Sequence, residues 1–329
     1  MKSKIIGFNH KTVKAWARQT LGALAKIYGG NMKWRRTILS GGFWAVVFLG
    51  FAMFTHGHAV QRPKIFISAD FEGVGQVVGK ESLAPGAYEF ERARKLLTAE
   101  VNAAIEGCLE AGAGEIVVAD SHGNCINLNP EELNEKAVLI RATPRPLDMM
   151  AGIDETFAGA IMIGYHARSG IAGANIAATM ALSVLEMRIN DRIVSEVYIN
   201  GGVAGDFNVP VIMVTGDQYV VKDAKEVLGN IETVQTKESL GFLAAKSPHP
   251  NVLHREIKEK ANKAVLRIKE FKPLRVEGPI RFQIGLKNAY DAERACLLPW
   301  FHRIDGNTIL VELQNMKEVA NIILGLGLI

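Results

Sequence analysis

Three short segments carry side chains able to hold a divalent cation. Asp70-Phe71-Glu72, Asp120-Ser121-His122 and Tyr165-His166 each place carboxylates or an imidazole within a few positions of one another. Mixed oxygen and nitrogen donors suit zinc, with manganese or cobalt also accommodated. Asp70 and Glu72 are two residues apart, so an extended chain points both to the same side. Five of the eight histidines follow residue 60, and two of those five stand in these segments. His249, His254 and His302 lie in loop or helix contexts without acidic partners. Each residue taken singly has a plainer role. A carboxylate just after a strand is commonly a turn or cap residue, and a lone strand-end histidine is more often structural. Glu196, on an alternating run with Val194 and Tyr198, reads as an exposed surface residue of a strand. The combination is more specific, because all three segments close a predicted strand.

Those strands are short, apolar and β-branched: Lys64–Asp70, Glu115–Asp120 and Ala158–His166. Between the first two, residues 87–111 put Phe90, Leu97, Val101, Ala104 and Cys108 on one helical face, with Gly112 as the stop. Residues 144–152 are predicted to form a short helix. This βαβαβ order predicts an α/β fold with a parallel sheet, in which ligands bind beyond the carboxyl ends of the strands. Ile189–Asn200 reads as a hairpin turning at Asn190-Asp191, and Val209–Thr215 as a further buried strand. A helix over Gln218–Leu228 follows. Then come a strand from Ile231, a charged helix at His254–Phe271, a strand at Pro279–Leu286, a helix at Ala289–Leu297, a strand at Thr308–Leu313 and a last helix. The expected organisation is a leader over 1–59, an α/β metal-binding core over 64–220 and a second, α+β domain over 221–329.

The charge is unevenly placed. The chain carries a net charge of +4, but residues 1–59 hold nine Lys/Arg and no acid, leaving 29 basic against 34 acidic residues in the remainder. The basic excess belongs to the leader, which removes the main support for a nucleic-acid partner. Lys33, Arg35 and Arg36 precede an apolar run from Ile38 to Phe54, and Gly57-His58-Ala59 is small at both key positions of a signal-peptidase site. The pattern begins at Met32 and predicts export to the periplasm or outside, with a membrane anchor as the alternative if the leader is kept. Cys108, Cys125 and Cys296 form no CxxC pair and no disulfide framework. Burial as small apolar groups is expected for Cys108 and Cys296.

Four segments in order, ISADFEG (67–73), VVADSHG (117–123), GYHAR (164–168) and NDRIVSE (190–196), closely resemble the signature segments of the zinc-dependent D-aminopeptidase family, and GDFNVPVIMVTGD (205–217) matches as well. The resemblance runs from about Lys64 to the C-terminus. It implies a binuclear site with Asp70, Glu72, His122, His166 and Glu196 as ligands. Asp70 would bridge the ions, Glu72 and His122 would complete one site, and His166 and Glu196 the other. Two divalent ions, by resemblance zinc, against three carboxylates leave one positive charge, which acidifies a water nucleophile. The resemblance further implies short peptide substrates with N-terminal D-residues and a ring-shaped homo-oligomer.

One position departs from the family pattern. About a dozen residues after the histidine of GYH, the family carries a catalytic histidine, and here the segment is Ala177-Ala178-Thr179-Met180. Alanine can neither relay a proton nor stabilise an oxyanion, so the metal ligands are complete while the acid–base partner is missing. Two functions follow as expectations: a metallo-aminopeptidase of weak activity, or a metal-bearing peptide-binding protein that has lost hydrolysis.

Overall fold

The computed structural model describes residues 62–328, so the leader expected over 1–59 lies outside the described residues. The large sheet has seven strands in the order β3-β2-β1-β4-β7-β8-β9. These are β1 (Lys64–Ala69), β2 (Glu115–Asp120), β3 (Ala137–Ile140), β4 (Gly159–Tyr165), β7 (Val211–Asp217), β8 (Glu232–Gly241) and β9 (Ala244–Lys246). All pairings are parallel except β8 with β9. A second, antiparallel sheet has the order β11-β12-β10-β5-β6. It comprises β5 (Val184–Ile189), β6 (Arg192–Ile193), β10 (Ile280–Leu286), β11 (His302–Arg303) and β12 (Thr308–Leu313).

The helices are α1 (Phe90–Glu110), α2 (Glu196–Asp206), α3 (Gln218–Leu228), α4 (Pro250–Leu266), α5 (Ala289–Ala295) and α6 (Met316–Gly325). Strand β1 is buried from Ile65 onward and divides its side chains between two cores, as a strand covered on both faces must. Ile65, Ile67 and Ala69 join Leu97, Val101 and Ala104 of α1 and Leu253, Ile257 and Ala261 of α4. Phe66 points the other way, into a core shared with Val197 and Val203 of α2, Phe282 and Ile284 of β10, Val311 of β12 and Val319 of α6. Cys108 is buried and Cys296 only half-buried; Cys125, for which burial was not anticipated, is buried, and all three are free thiols.

The sheet order differs from a division at residue 220. Strand β8 lies beyond that point yet pairs with β7, while β5 and β6 come before it and pair into the second sheet. Residues 61–329 form one compact unit.

Two local expectations are corrected. The stretch after the Asn190-Asp191 turn is extended only through Arg192–Ile193, and Glu196 opens helix α2 instead of sitting on a strand. Ser195 caps this helix, its hydroxyl accepting from Tyr198 N–H at 3.2 Å. The β-branched and glycine-rich sequence hides the helix because its propensity is low. What holds it is packing: Val197, Ile199 and Val203 are fully buried. The helix foreseen at 144–152 shrinks to a 3₁₀ turn over Asp148–Met150.

Candidate metal centre

The strand order reverses at β1, whose neighbours β2 and β4 run parallel to it on either side, and parallel registers bring their ends level. Ala69 stands opposite both Asp120 and Ile163. Beyond β1 the chain turns back against the end of β4. Asp70 N–H donates to Ile163 C=O at 2.8 Å, and Gly73 N–H to Gly164 C=O at 2.7 Å. Only glycines allow this approach. A Cβ on Gly73 would collide with the Tyr165 carbonyl, and Gly164, at φ +70°, would meet Asp70 C=O.

Asp70 is thereby held buried at the centre of five side chains. His122 Nδ1 lies 3.6 Å from Asp70 Oδ1 and 2.9 Å from Glu72 Oε2. His166 Nε2 lies 3.3 Å from Asp70 Oδ2 and 3.5 Å from Glu196 Oε2. Asp70, Glu72 and His166 each offer a donor atom within 4.8 Å of the others. The structure therefore brings together all five residues singled out in the sequence. It leaves the others elsewhere: His249 caps α4, accepting from Asn251 N–H, and His302 lies exposed on β11.

The far nitrogen of each imidazole faces a backbone carbonyl, His122 Nε2 toward Leu83 at 3.1 Å and His166 Nδ1 toward Ala167 at 3.0 Å. Such partners fix the ring tautomer and aim the other nitrogen at the carboxylates, the arrangement found around metal-binding histidines. The remaining strand-end residues are structural. Asp120 accepts from Asn127 and Leu128 N–H at 2.6 and 2.7 Å, closing the loop that carries His122. Tyr165 hydroxyl is 2.8 Å from Ser68 Oγ and takes a bond from Asn200 Nδ2 at 3.0 Å.

The electrostatics are those of a cation site. Burial raises the Asp70 carboxyl, and the neighbouring Glu72 carboxylate raises it further, against hydrogen bonds from the two histidines. At His122 burial opposes charge, but the carboxylates of Glu72 and Asp70 outweigh it and hold the ring well above the ordinary histidine value. His166 behaves alike: burial is outweighed by Glu196 and Asp70. Burial would raise Glu72 as well, yet His122 draws it far below the ordinary carboxylate range. Asp70 Oδ2 is sealed from solvent and faces His166 Nε2 at 3.3 Å. Three carboxylates gathered with two imidazoles in one buried site want a cation, and the donor set fits a divalent metal.

Two charged residues under the Glu72 loop were not foreseen. Lys237, buried on β8, donates to the carbonyls of Glu72 and Val77. Burial pulls its ammonium down to about 8 against the pull of Asp217 and Glu72. Glu100 of α1 accepts from Gly75 N–H at 2.8 Å, and burial pushes its carboxyl up to about 7. Glu100 left a signal: it lies three residues after Leu97 and four before Ala104, a charge on the apolar stripe. Lys237 sits in an alternating polar stretch and left none.

Ala178 is held by main chain to the segment that carries His166. Its N–H donates to the Ala167 carbonyl at 3.1 Å, and two residues on, Met180 N–H donates to Glu196 Oε1 at 2.6 Å. The segment expected to carry a catalytic histidine is in place, with a buried methyl group there.

Comparison with known proteins decides the family. A family model described as D-aminopeptidase, peptidase family M55, matches residues 64–324. The chain belongs to the D-aminopeptidase family. A D-aminopeptidase of Bacillus subtilis strain 168 is 34% identical over 256 residues, covering 78% of this chain and 93% of the relative. Among solved structures, the zinc-dependent D-aminopeptidase DppA from Bacillus subtilis, described as a self-compartmentalizing protease, matches with a TM-score of 0.78 and 32% identity. That match covers 80% of this chain and 96% of the other. Within the D-aminopeptidase family the parallel sheet and its separate antiparallel partner are thus a shared architecture.

Proposed function

We propose that the chain is an exported aminopeptidase acting on short peptides with an N-terminal D-residue, and that Asp70, Glu72, His122, His166 and Glu196 hold two divalent cations, zinc by likeness to the relative. The observation that carries this reading is the gathering of four donor side chains, Glu72, His122, His166 and Glu196, around a buried Asp70. Asp70 faces both histidines, one with each oxygen, and so is the residue placed to be shared between two ions. When bound, such ions polarise a scissile carbonyl and acidify water. The chain's own part is to fix the donors and seal the inner half of the site from solvent. The loop at 72–77 is clamped from below by Lys237, Glu100 and Thr236, whose hydroxyl donates to Gly73 C=O. Self-assembly is expected by likeness to the self-compartmentalizing relative. Export rests on the leader, with cleavage after Ala59, and N-terminal sequencing of the protein from its host tests it. An intact leader on a soluble cytoplasmic product would end that part of the reading.

The test of activity is hydrolysis of D-aminoacyl dipeptides and amides beside their L-counterparts. The expected result is turnover of the D-series, lost on chelation and restored by zinc. A second reading is favoured by the buried methyl of Ala178: a metal-bearing peptide-binding protein. Binding of D-aminoacyl peptides without turnover in the zinc-loaded protein would establish it.

A further inference from the structure

The donor side chains stand on unequal supports. His166 follows directly on β4 and Glu196 opens α2, whereas Glu72 lies in the irregular segment 71–79, outside every helix and strand. A ligand on such a segment keeps its place only where other parts of the chain hold the backbone.

The backbone of 72–78 is held by side chains from four distant stretches. From β8, Thr236 Oγ1 donates to Gly73 C=O, and Lys237 Nζ donates to both Glu72 C=O and Val77 C=O. From α1, Glu100 Oε1 accepts from Gly75 N–H at 2.8 Å. Ser247, just past β9, accepts from Gln76 N–H at 3.3 Å. Asn175, from the loop before β5, donates to Val78 C=O at 3.0 Å. None of these residues belongs to the donor set, and all of them act on main chain.

Lys237 acts nearest to the ligand. The peptide group that joins Glu72 to Gly73 is gripped at both ends, its C=O by Lys237 and its N–H by Gly164 C=O at 2.7 Å. A fixed peptide plane fixes the Glu72 Cα that belongs to it. At the other end of that side chain, Glu72 Oε2 meets His122 Nδ1 at 2.9 Å. The register of β8 sets Lys237 level with Asp217 at the end of β7, and so beside the carboxyl edge where the donors gather.

Nothing else in its surroundings calls for a lysine. It is 1% exposed, and a buried ammonium costs stability that an apolar side chain of the same length would not. Its charge also opposes a divalent cation nearby. What the residue does supply is several donors on one flexible stem, enough for two carbonyls at Glu72 and Val77.

We propose that Lys237 is a positioning residue for metal binding at the half of the site made by Glu72 and His122. By joining the carbonyls of Glu72 and Val77 it closes 72–77 into a fixed loop, so that Glu72 is in place before a cation arrives. The inference rests on the two-ion reading above. Lys237 acts through the Glu72 main chain, and its effect falls on that half and not on His166 and Glu196.

The test is a zinc titration of the metal-free protein against a competing chelator, with wild type beside Lys237→Met, which keeps the length of the side chain and removes its donors. Wild type is expected to take up two ions. In the variant one ion should bind as before and the other about 10–100-fold more weakly, the usual loss when a partner of a metal ligand is removed. A merely structural role would lower the melting temperature of the metal-free variant and weaken both ions alike, and that result would overturn the proposal. Unchanged binding of both ions would overturn it, as would tighter binding, the direction expected from loss of a positive charge alone. A second measurement needs no variant and decides the matter even if Lys237→Met does not fold. In hydrogen exchange of metal-free wild type, the Gly73, Gly75 and Gln76 amides are expected to be protected before zinc is added. Free exchange at these amides that slows only with zinc would show that the ion orders the loop, and would overturn the proposal. A wild type that binds a single ion ends the two-ion reading itself, visibly and without any variant, and the role of Lys237 falls with it.

Discussion

The two halves of the metal centre are built alike and buried unlike. His166 and Glu196 have side chains only 3% and 5% exposed, whereas His122 and Glu72 are 16% and 13% exposed. The closed half is anchored to β4 and the start of α2, both deep in the core. The open half hangs on two loops beyond β1 and β2, tied down by backbone bonds and by buried charges beneath. On the proposed reading, the closed half sets position and the more exposed half is the side from which a peptide approaches. Asp70 belongs to both, one oxygen toward each.

The largest effect is therefore expected at Asp70. Asp70→Ala should lose metal from both halves and reduce turnover below detection, which elemental analysis with an activity assay will check. If the variant instead keeps half the wild-type metal, Asp70 serves one half and the shared-ligand picture is wrong.

A smaller and unequal effect is expected from removing one half at a time. Glu196→Gln weakens the closed half and also replaces the carboxylate that accepts Met180 N–H. A hydrogen bond to a charged group contributes about 1.5–3 kcal/mol, so this variant should melt at a lower temperature as well as bind less zinc. Glu72→Gln should bind less zinc with little change in melting. Equal thermal losses would erase the distinction between the halves.

Ala178→His probes the same site from the buried segment between His166 and Glu196. The family pattern implies a gain in turnover, expected at about ten-fold or more from the general range for acid–base groups and read in single-turnover assays at matched metal content. Full wild-type activity with no gain from the substitution would mean that another residue carries the proton.

The smallest effect concerns the loop of the open half. Glu100 is raised to about 7 by burial, against Gly75 N–H and Lys237. Its folded value lies above its unfolded one, so the folded state holds the extra proton, and stability is lost as pH rises from the ordinary carboxyl range through about 7. Glu100→Gln keeps an acceptor for Gly75 and should flatten that loss, melting higher than wild type at pH 8 and no higher at pH 5. A variant that melts lower at pH 8 would show that the ionised carboxylate is needed against Lys237.

Much of this site was legible because it sits where parallel strands end. Continuous β-branched runs located β1, β2 and β4, and the donor residues followed directly. Glu196 was legible as a ligand only through resemblance. Its local sequence alternates like a strand, and the helix that presents it is held by tertiary packing and the Ser195 cap. β3 escaped because its apolar run, Ala137–Ile140, is only four residues long, too short to show a period. Lys237 escaped for a different reason: its role depends on burial imposed by distant segments, which no local spacing encodes.

The contact of Gly73 with Gly164 has a consequence for redesign. It fixes the span between two strand ends by main chain alone, so the donors behave as marks on a ruler that side-chain exchanges elsewhere do not stretch. Rim residues can then be varied to admit other peptides while the spacing of the donors holds. Any side chain at either glycine lengthens the ruler, and the protein should then lose its metal while its core still folds.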